Sequence, residues 1–412
     1  MKTKKSKFHI EYIHGYKVLF VPEKSKSLIV QSVIHSGCIN ETKHTSGLNH
    51  LVEHVLVDGW KKCKGSCIEY WDNLGKLINA TTDTTCMKYY VKGSVENTNQ
   101  MIEYISTITT NPTFSTTALE TEKKAIIEEL NSSSNDSMYT LLDTFNKVFF
   151  KEEGLKYTED WKLQIKNLNH FTLSDVKKLY RDYFNPQNVL FIVYGEFNTS
   201  YVQHLFSNYL TEHTKGSLLT YDCFTNQPSF IYVPYSKDSY SILLGFPCNE
   251  IFEFKELNED ILNTLLFHEL RTIHQLVYNV KCEFNNTRCN TYINIKFDVS
   301  LEHVNKAIQA TINCLLFYKQ HLLSLSILNS CKKRVTYVYK SSYDMVDYYS
   351  EFIYLTTYLT KQQFIKRVQK FNDSHFKTMM NKAIQFDKAT CVYQGKKNLY
   401  LTWDSFNLNY KV

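Results

Sequence analysis

The sequence predicts an α+β protein of two homologous domains, each a largely antiparallel sheet packed with helices. Three observations carry this expectation. A turn and an alternating strand at residues 21–37, VPEKSKSLIVQSVIHSG, return at residues 233–248 as VPYSKDSYSILLGFPC, an offset of 212 (233 − 21). Each copy leads through a polar loop into an apolar helical stretch, GLNHLVEHVL at 47–56 and ILNTLLFHEL at 261–270. Both then run into strand-like segments, LINATTDTTCMKYYVKG at 77–93 and VYNVKCEFNNTRCNTYINIKFDV at 277–299. A length of 412 residues suits such a duplication, since compact domains hold on the order of 150 residues.

Taken in order, the elements carry their own signals. Ser46 is placed to cap the helix at 47–56, and Gly59 to stop it. Residues 116–130 read as a helix, with Thr117 and Glu120 as a capping box and Ile126 and Ile127 on its inner side. NPQNVLFIVYGEF at 185–197 reads as a buried strand closing the first half, with a helix running to Leu210. The polar stretch 211–222, around Lys215 and Gly216, reads as a linker dividing residues 1–215 from 216–412. Residues 324–358 and 361–384 are helical in period.

Composition excludes several classes. Lys and Arg total 47 against 41 Asp and Glu, a net charge of +6 with no basic stripe, which argues against a nucleic-acid partner. No apolar run approaches the eighteen residues of a membrane span, and the N-terminus lacks the apolar stretch of a signal peptide. Eleven irregularly spaced cysteines suggest no disulfide framework, and Cys63 and Cys67 read as core or rim thiols on one helical face. A soluble protein of the reducing cytoplasm is the expectation. Twelve glycines leave little room for a phosphate-cradling loop.

The chemistry concentrates in His50-Leu51-Val52-Glu53-His54. On a helix, positions i and i+4 lie on one face, so both imidazoles can reach one ion. Glu53 stands beside them, placed to take a proton from a polarised water. A catalytic zinc needs a third protein ligand. The helix at 116–130 offers Glu122 and Glu129, seven residues and two turns apart with Ile126 between them. His268-Glu269 fails as a second motif because Thr272 stands where a histidine would be needed.

With Gly47 through His54, then Glu122 and Glu129 with 75 residues from His54 to Glu129 (129 − 54), the chain resembles the pitrilysin/insulinase family of inverzincin zinc peptidases, which includes the mitochondrial processing peptidase. The resemblance implies one Zn2+ per chain held by His50, His54 and Glu129, with Glu53 as general base and Glu122 supporting catalysis from behind a ligand. It also implies substrate contacts at Asn79 and Ala80 of the N-A-x-T strand, and at Arg271 and Tyr278. Lys76 and Trp60 depart from the family pattern and touch substrate preference rather than the metal. Family members enclose extended peptides or unfolded segments in a clamshell chamber of four such domains. A two-domain chain would then be half of it, completed by a homodimer or by a heterodimer with a related chain. The alternatives are a non-catalytic structural or assembly subunit of the same fold, or a specialised viral or protist morphogenesis protease.

Overall fold

The computed structural model describes residues 8–25, 27–63, 65–133, 137–211, 223–252, 254–287, 290–338, 342–351 and 358–409. They divide into two compact units that are not continuous in sequence. The first comprises Met1–Ser134, Asp160–Leu219 and Ser341–Thr360; the second comprises Asn135–Glu159, Thr220–Lys340 and Lys361–Val412.

The first unit is built on a six-stranded sheet of β1 (His9–Ile13), β2 (Tyr16–Pro22), β3 (Leu28–Ile34), β4 (Leu77–Thr82), β5 (Met87–Gly93) and β6 (Val189–Gly195), in the order β1-β2-β6-β3-β5-β4. The second has β7 (Ser229–Pro234), β8 (Ser239–Cys248), β9 (Val277–Asn286), β10 (Thr291–Ser300) and β11 (Thr390–Gly395), in the order β7-β11-β8-β10-β9. With β1 set aside, the two orders are the same. Polarity agrees as well: β2 runs parallel to β6 and β7 parallel to β11, while every other pairing is antiparallel. The repeat read from residues 21–37 and 233–248 thus falls on equivalent strands, β3 and β8.

Burial explains which runs became which strands. The continuous apolar run of β6 and the whole of β3 are buried, as central strands covered on both faces must be. Within β3, the polar Gln31 and Ser32 survive burial because each is bonded. Gln31 Nε2 donates to Ser350 Oγ at 2.6 Å, and Ser32 accepts from Thr109 at 2.8 Å. β4 alternates between exposed and half-buried residues, the signature of an edge strand.

The core of the first unit joins this sheet to the helices α1 (Leu48–Val57), α2 (Cys67–Asn73), α3 (Thr98–Thr110) and α4 (Thr116–Ser133). Leu48, Leu51, Val52, Val55 and Leu56 give α1 one buried face, and the helix as a whole lies against α3, α4 and β4. Among the described residues no helix is long and apolar enough to cross a membrane.

Several local expectations change. Gly47, at φ +91°, occupies the cap position of α1 that was expected of Ser46. The first turn of α4 is bonded by Ser115, whose hydroxyl accepts from the Ala118 amide, while Glu120 pairs with Lys123 at 3.0 Å. Thr117 and Glu120 therefore form no capping box. Cys63 and Cys67 are joined in a disulfide, because Cys63 lies in the turn before α2 rather than on its face. The other described cysteines form no disulfide. The helical period at 361–384 is broken into Lys361–Lys370 and Asp373–Ala383, since Asn372 caps the second piece by accepting from the His375 amide. Residues 324–358 contain Leu325–Val338 and Ser342–Glu351. Most of the linker expected at 211–222 lies outside the described residues.

Phe191, fully buried in β6, meets the ring of Tyr16 edge-on and that of Phe206 at a tilt. Phe191→Ala is expected to lower the unfolding free energy by about 3–5 kcal/mol in urea titrations, the usual range for an aromatic cavity.

Candidate metal centre

The hydrophobic face of α1 leaves its opposite face to His50, Glu53 and His54, and both ends of the helix are held. At the C-terminal end the Tyr104 hydroxyl donates to the Val57 carbonyl at 2.9 Å. Gly59 follows the helix directly, its amide bonded to the Leu56 carbonyl at 2.9 Å. At the N-terminal end the Leu48 amide donates to the Thr45 carbonyl at 2.9 Å, and two other amides are met by Glu41, six residues before Gly47. Its Oε2 accepts from the Gly47 amide at 3.0 Å, and its Oε1 from the Asn49 amide at 2.7 Å.

The two imidazoles stand edge to face, with Nε2 of His54 and Nε2 of His50 3.2 Å apart. Glu129 reaches over from α4. Its Oε2 lies 3.6 Å from His50 Nε2 and 3.9 Å from His54 Nε2. Two ligands held about 2.0–2.1 Å from a tetrahedral zinc sit about 3.3 Å apart, so three such atoms at these separations can share one ion with modest closure. Among the described residues this is the group of His, Cys, Asp or Glu whose ligand atoms converge in that way. A set of two imidazoles and one carboxylate is also chemically suited to zinc.

Glu122 stands one step behind. Its Oε2 is 2.9 Å from His54 Nδ1, so that nitrogen carries the proton and donates it. When the ring is neutral, that tautomer leaves the other nitrogen with its lone pair facing Glu129 and His50. Alignment of Glu122 and Glu129 on α4 places one behind the pair and the other across it. α4 is anchored by the buried Leu119 and Ile126.

Electrostatics separates the three groups of α1. Burial pulls His50 down to about 4, assisted by His54 and opposed by Glu129, so its ring is neutral at pH 7 and free to ligate. Burial also pulls on His54, but the hydrogen bond to Glu122 and the charges of Glu53, Glu122 and Glu129 lift it above the ordinary histidine value. Glu53 is pushed above the usual carboxylate range by burial, with Thr82 and His54 opposing and Glu129 and Asp83 adding to the rise. A carboxylate so shifted holds a proton more readily than one in water.

Thr82 was not singled out by the sequence beyond its place in the N-A-x-T segment. Its hydroxyl donates to Glu53 Oε2 at 2.7 Å, which ties the end of the edge strand to the helix. Asn79 and Ala80 lie on that same strand, paired with Tyr90 and Tyr89 of β5. Lys76, just before it, is buried, with its ammonium on the Ser94 carbonyl at 3.2 Å. Arg271 and Tyr278 belong to the second unit. Arg271 lies in the π-helical turn His268–Ile273, and Tyr278 at the start of β9, with the guanidinium 5.0 Å from the tyrosine ring centre. Glu269 of that turn pairs with His274 at 3.0 Å.

Comparison with known proteins gives a consistent answer. A family model described as insulinase (peptidase family M16) matches residues 19–158, and one described as the peptidase M16 inactive domain matches residues 170–335. The uncharacterized zinc protease YmxG of Bacillus subtilis is 24% identical over 196 residues, 46% of this chain and 46% of that protein. The match thus spans about half the length of that curated relative. Among solved structures, a protease from Helicobacter pylori superposes with a TM-score of 0.82 at 18% identity, over 94% of this chain and 99% of that one. The periplasmic protease PqqL from Escherichia coli gives a TM-score of 0.73 at 15% identity, over 95% of this chain but 48% of that one. At such identities these two likenesses speak for the fold.

The Thr82–Glu53 bond favours the ionised carboxylate, so its removal must raise the Glu53 pKa further. A hydrogen bond to a charged group is worth about 1.5–3 kcal/mol, which corresponds to roughly one to two pH units. Thr82→Val is expected to move the Glu53 titration up by at least ~1 unit in side-chain carboxyl NMR of the metal-free protein. An unmoved titration would show that the hydroxyl does not tune this group.

Proposed function

Since the chain belongs to the insulinase family of peptidases, peptidase family M16, we propose that it is a zinc metalloendopeptidase acting on extended peptides or unfolded segments. The observation that carries the reading is the convergence of His50, His54 and Glu129 within 3.9 Å, with a buried carboxylate beside them on the same helix. These three side chains would hold one Zn2+, which supplies Lewis acidity to polarise a scissile carbonyl and to acidify a water.

The chain's own groups do the rest. Glu53, its basicity raised by burial, accepts the proton from the attacking water and hands it to the leaving amine. Thr82 holds that carboxylate in place, and Glu122 fixes the tautomer of His54. Among the described residues β4 pairs with β5 alone, and an extended peptide would add along Asn79 and Ala80 as a further strand on its other edge. Such pairing uses main-chain bonds and so selects weakly by sequence. Arg271 and Tyr278, in the half 216–412, would contact substrate held at the zinc of a partner subunit.

This chain spans 48% of the PqqL structure, which favours a second chain as the other half of a substrate chamber. That chain is a second copy or a related one. A family model described as an inactive domain covers the second half, while every proposed metal-site residue falls in the first.

Purified protein is expected to hold close to one zinc per chain by metal analysis. Glu53→Gln should keep the metal while cleavage of a denatured peptide mixture falls by at least ~10²-fold, the contribution of a positioned general base. If zinc-loaded wild type left such peptides intact, alone and with a related chain, a structural or assembly role would replace this reading.

A further inference from the structure

We propose that Glu41 is a positioning residue of this centre: its carboxylate clamps the first turn of α1 and sets the register of His50 and Glu53 against the hairpin that presents Thr82. The inference rests on the metallopeptidase reading and deepens it.

Glu41 is buried, and each of its oxygens is engaged. Oε2 takes the Gly47 amide, and Oε1 takes both the backbone amide and the side-chain Nδ2 of Asn49 at 2.7 and 3.0 Å. Burial pushes its carboxyl up to about 7, opposed by these donors, which lie at a helix N-terminus where the aligned peptide dipoles also favour negative charge. Asn49 is the residue before His50, and its Oδ1 accepts from Ser36 Oγ at 2.7 Å. Ser36, Asn49 and Glu41 thus form one buried chain of bonds from the end of β3 to the start of the metal helix.

The other side of the same loop grips the β4–β5 hairpin. The Cys38 amide donates to the Asp83 carbonyl at 3.3 Å, and the Ile39 amide to the Thr84 carbonyl at 2.9 Å. Gly37 lies so close that a Cβ there would come within 2.3 Å of the Asp83 carbonyl oxygen. The loop is therefore a bracket with one arm on the hairpin, next to Thr82, and the other on α1. The bond between Thr82 and Glu53 bridges the two arms across the site. A helix whose first turn lost its clamp would shift or fray where His50 projects, because Gly47 has no side chain with which to cap it.

Glu41→Gln is the conservative test. It keeps the shape but replaces one acceptor by a donor facing amides that are themselves donors. Zinc affinity is read by chelator competition well below the unfolding temperature, and geometry by the visible absorption of the cobalt-substituted protein. The variant is expected to bind zinc about tenfold more weakly, in line with other residues that orient metal ligands. Its cobalt spectrum should be altered, and kcat should fall with KM nearly unchanged. Ser36→Ala, which removes only the far link of the chain, should shift affinity in the same direction by less, and decides the matter if Glu41→Gln does not fold. A residue that merely stabilises the fold would lower the unfolding temperature and leave zinc affinity and the cobalt spectrum of the folded protein as in wild type. That result overturns this inference alone. A wild type that takes up neither zinc nor cobalt overturns the metallopeptidase reading and this one with it.

Discussion

The position of α1 is the constraint on which the rest depends, and hydrophobic burial sets it. Five apolar side chains, Leu48, Leu51, Val52, Val55 and Leu56, fill one face of a ten-residue helix and fix its rotation about its own axis. Once that face is committed to the core, helical geometry leaves His50, Glu53 and His54 on the other side with no further choice. Each fully buried aliphatic side chain contributes about 1.5–3 kcal/mol, so several of them easily hold in place polar groups whose partial burial is unfavourable. The bonds at the two ends, from Glu41 and from Tyr104, then control sliding along the axis, which burial alone leaves soft.

How much of this was legible in the sequence follows from which interactions are local. β3, β6 and α1 could be read because their apolar runs and periods are properties of a few consecutive residues. The duplication could be read for the same reason, and the shared strand order of the two sheets gives it physical form. The helix ends could not. A capping pattern predicts Ser46 or Thr117, yet two amides at the start of α1 are met by a carboxylate six residues before its cap, and the Ala118 amide of α4 by Ser115. Both choices depend on where a loop folds back, which no short window contains. Helical period likewise carried the reading across Phe371 and Asn372, where the side-chain bond of Asn372 starts a new helix instead. The Cys63–Cys67 pair was missed because a spacing of four suggests one helical face, whereas a turn brings the two together.

The site's residues show the same split. The spacing of His50 and His54 is a local fact, and their convergence follows from one helix. Glu129 required a resemblance to be chosen over Glu122, since both lie on one face of α4 and periodicity cannot rank them. The structure separates them by depth: Glu122 reaches the far nitrogen of His54, while Glu129 reaches the near nitrogens of both rings. Thr82 lies 29 residues beyond Glu53 in sequence, and only the packing of α1 against β4 makes it a partner (82 − 53 = 29).

The charge pattern argues for a cation independently of any family. Three carboxylates, Glu53, Glu122 and Glu129, are gathered around two imidazoles, of which burial holds His50 neutral at pH 7. Burial pushes the Glu53 carboxyl up and the negative charge of Glu129 adds to the rise, so the two carboxylates repel across the site. In a protein interior such an imbalance is relieved by proton uptake or by a positive ion. The near nitrogens and the Glu129 oxygen point at one another across gaps of 3.2 to 3.9 Å. A single divalent ion in that gap would offset the excess charge, engage three lone pairs at once, and link α1 to α4 across 75 residues of chain (129 − 54).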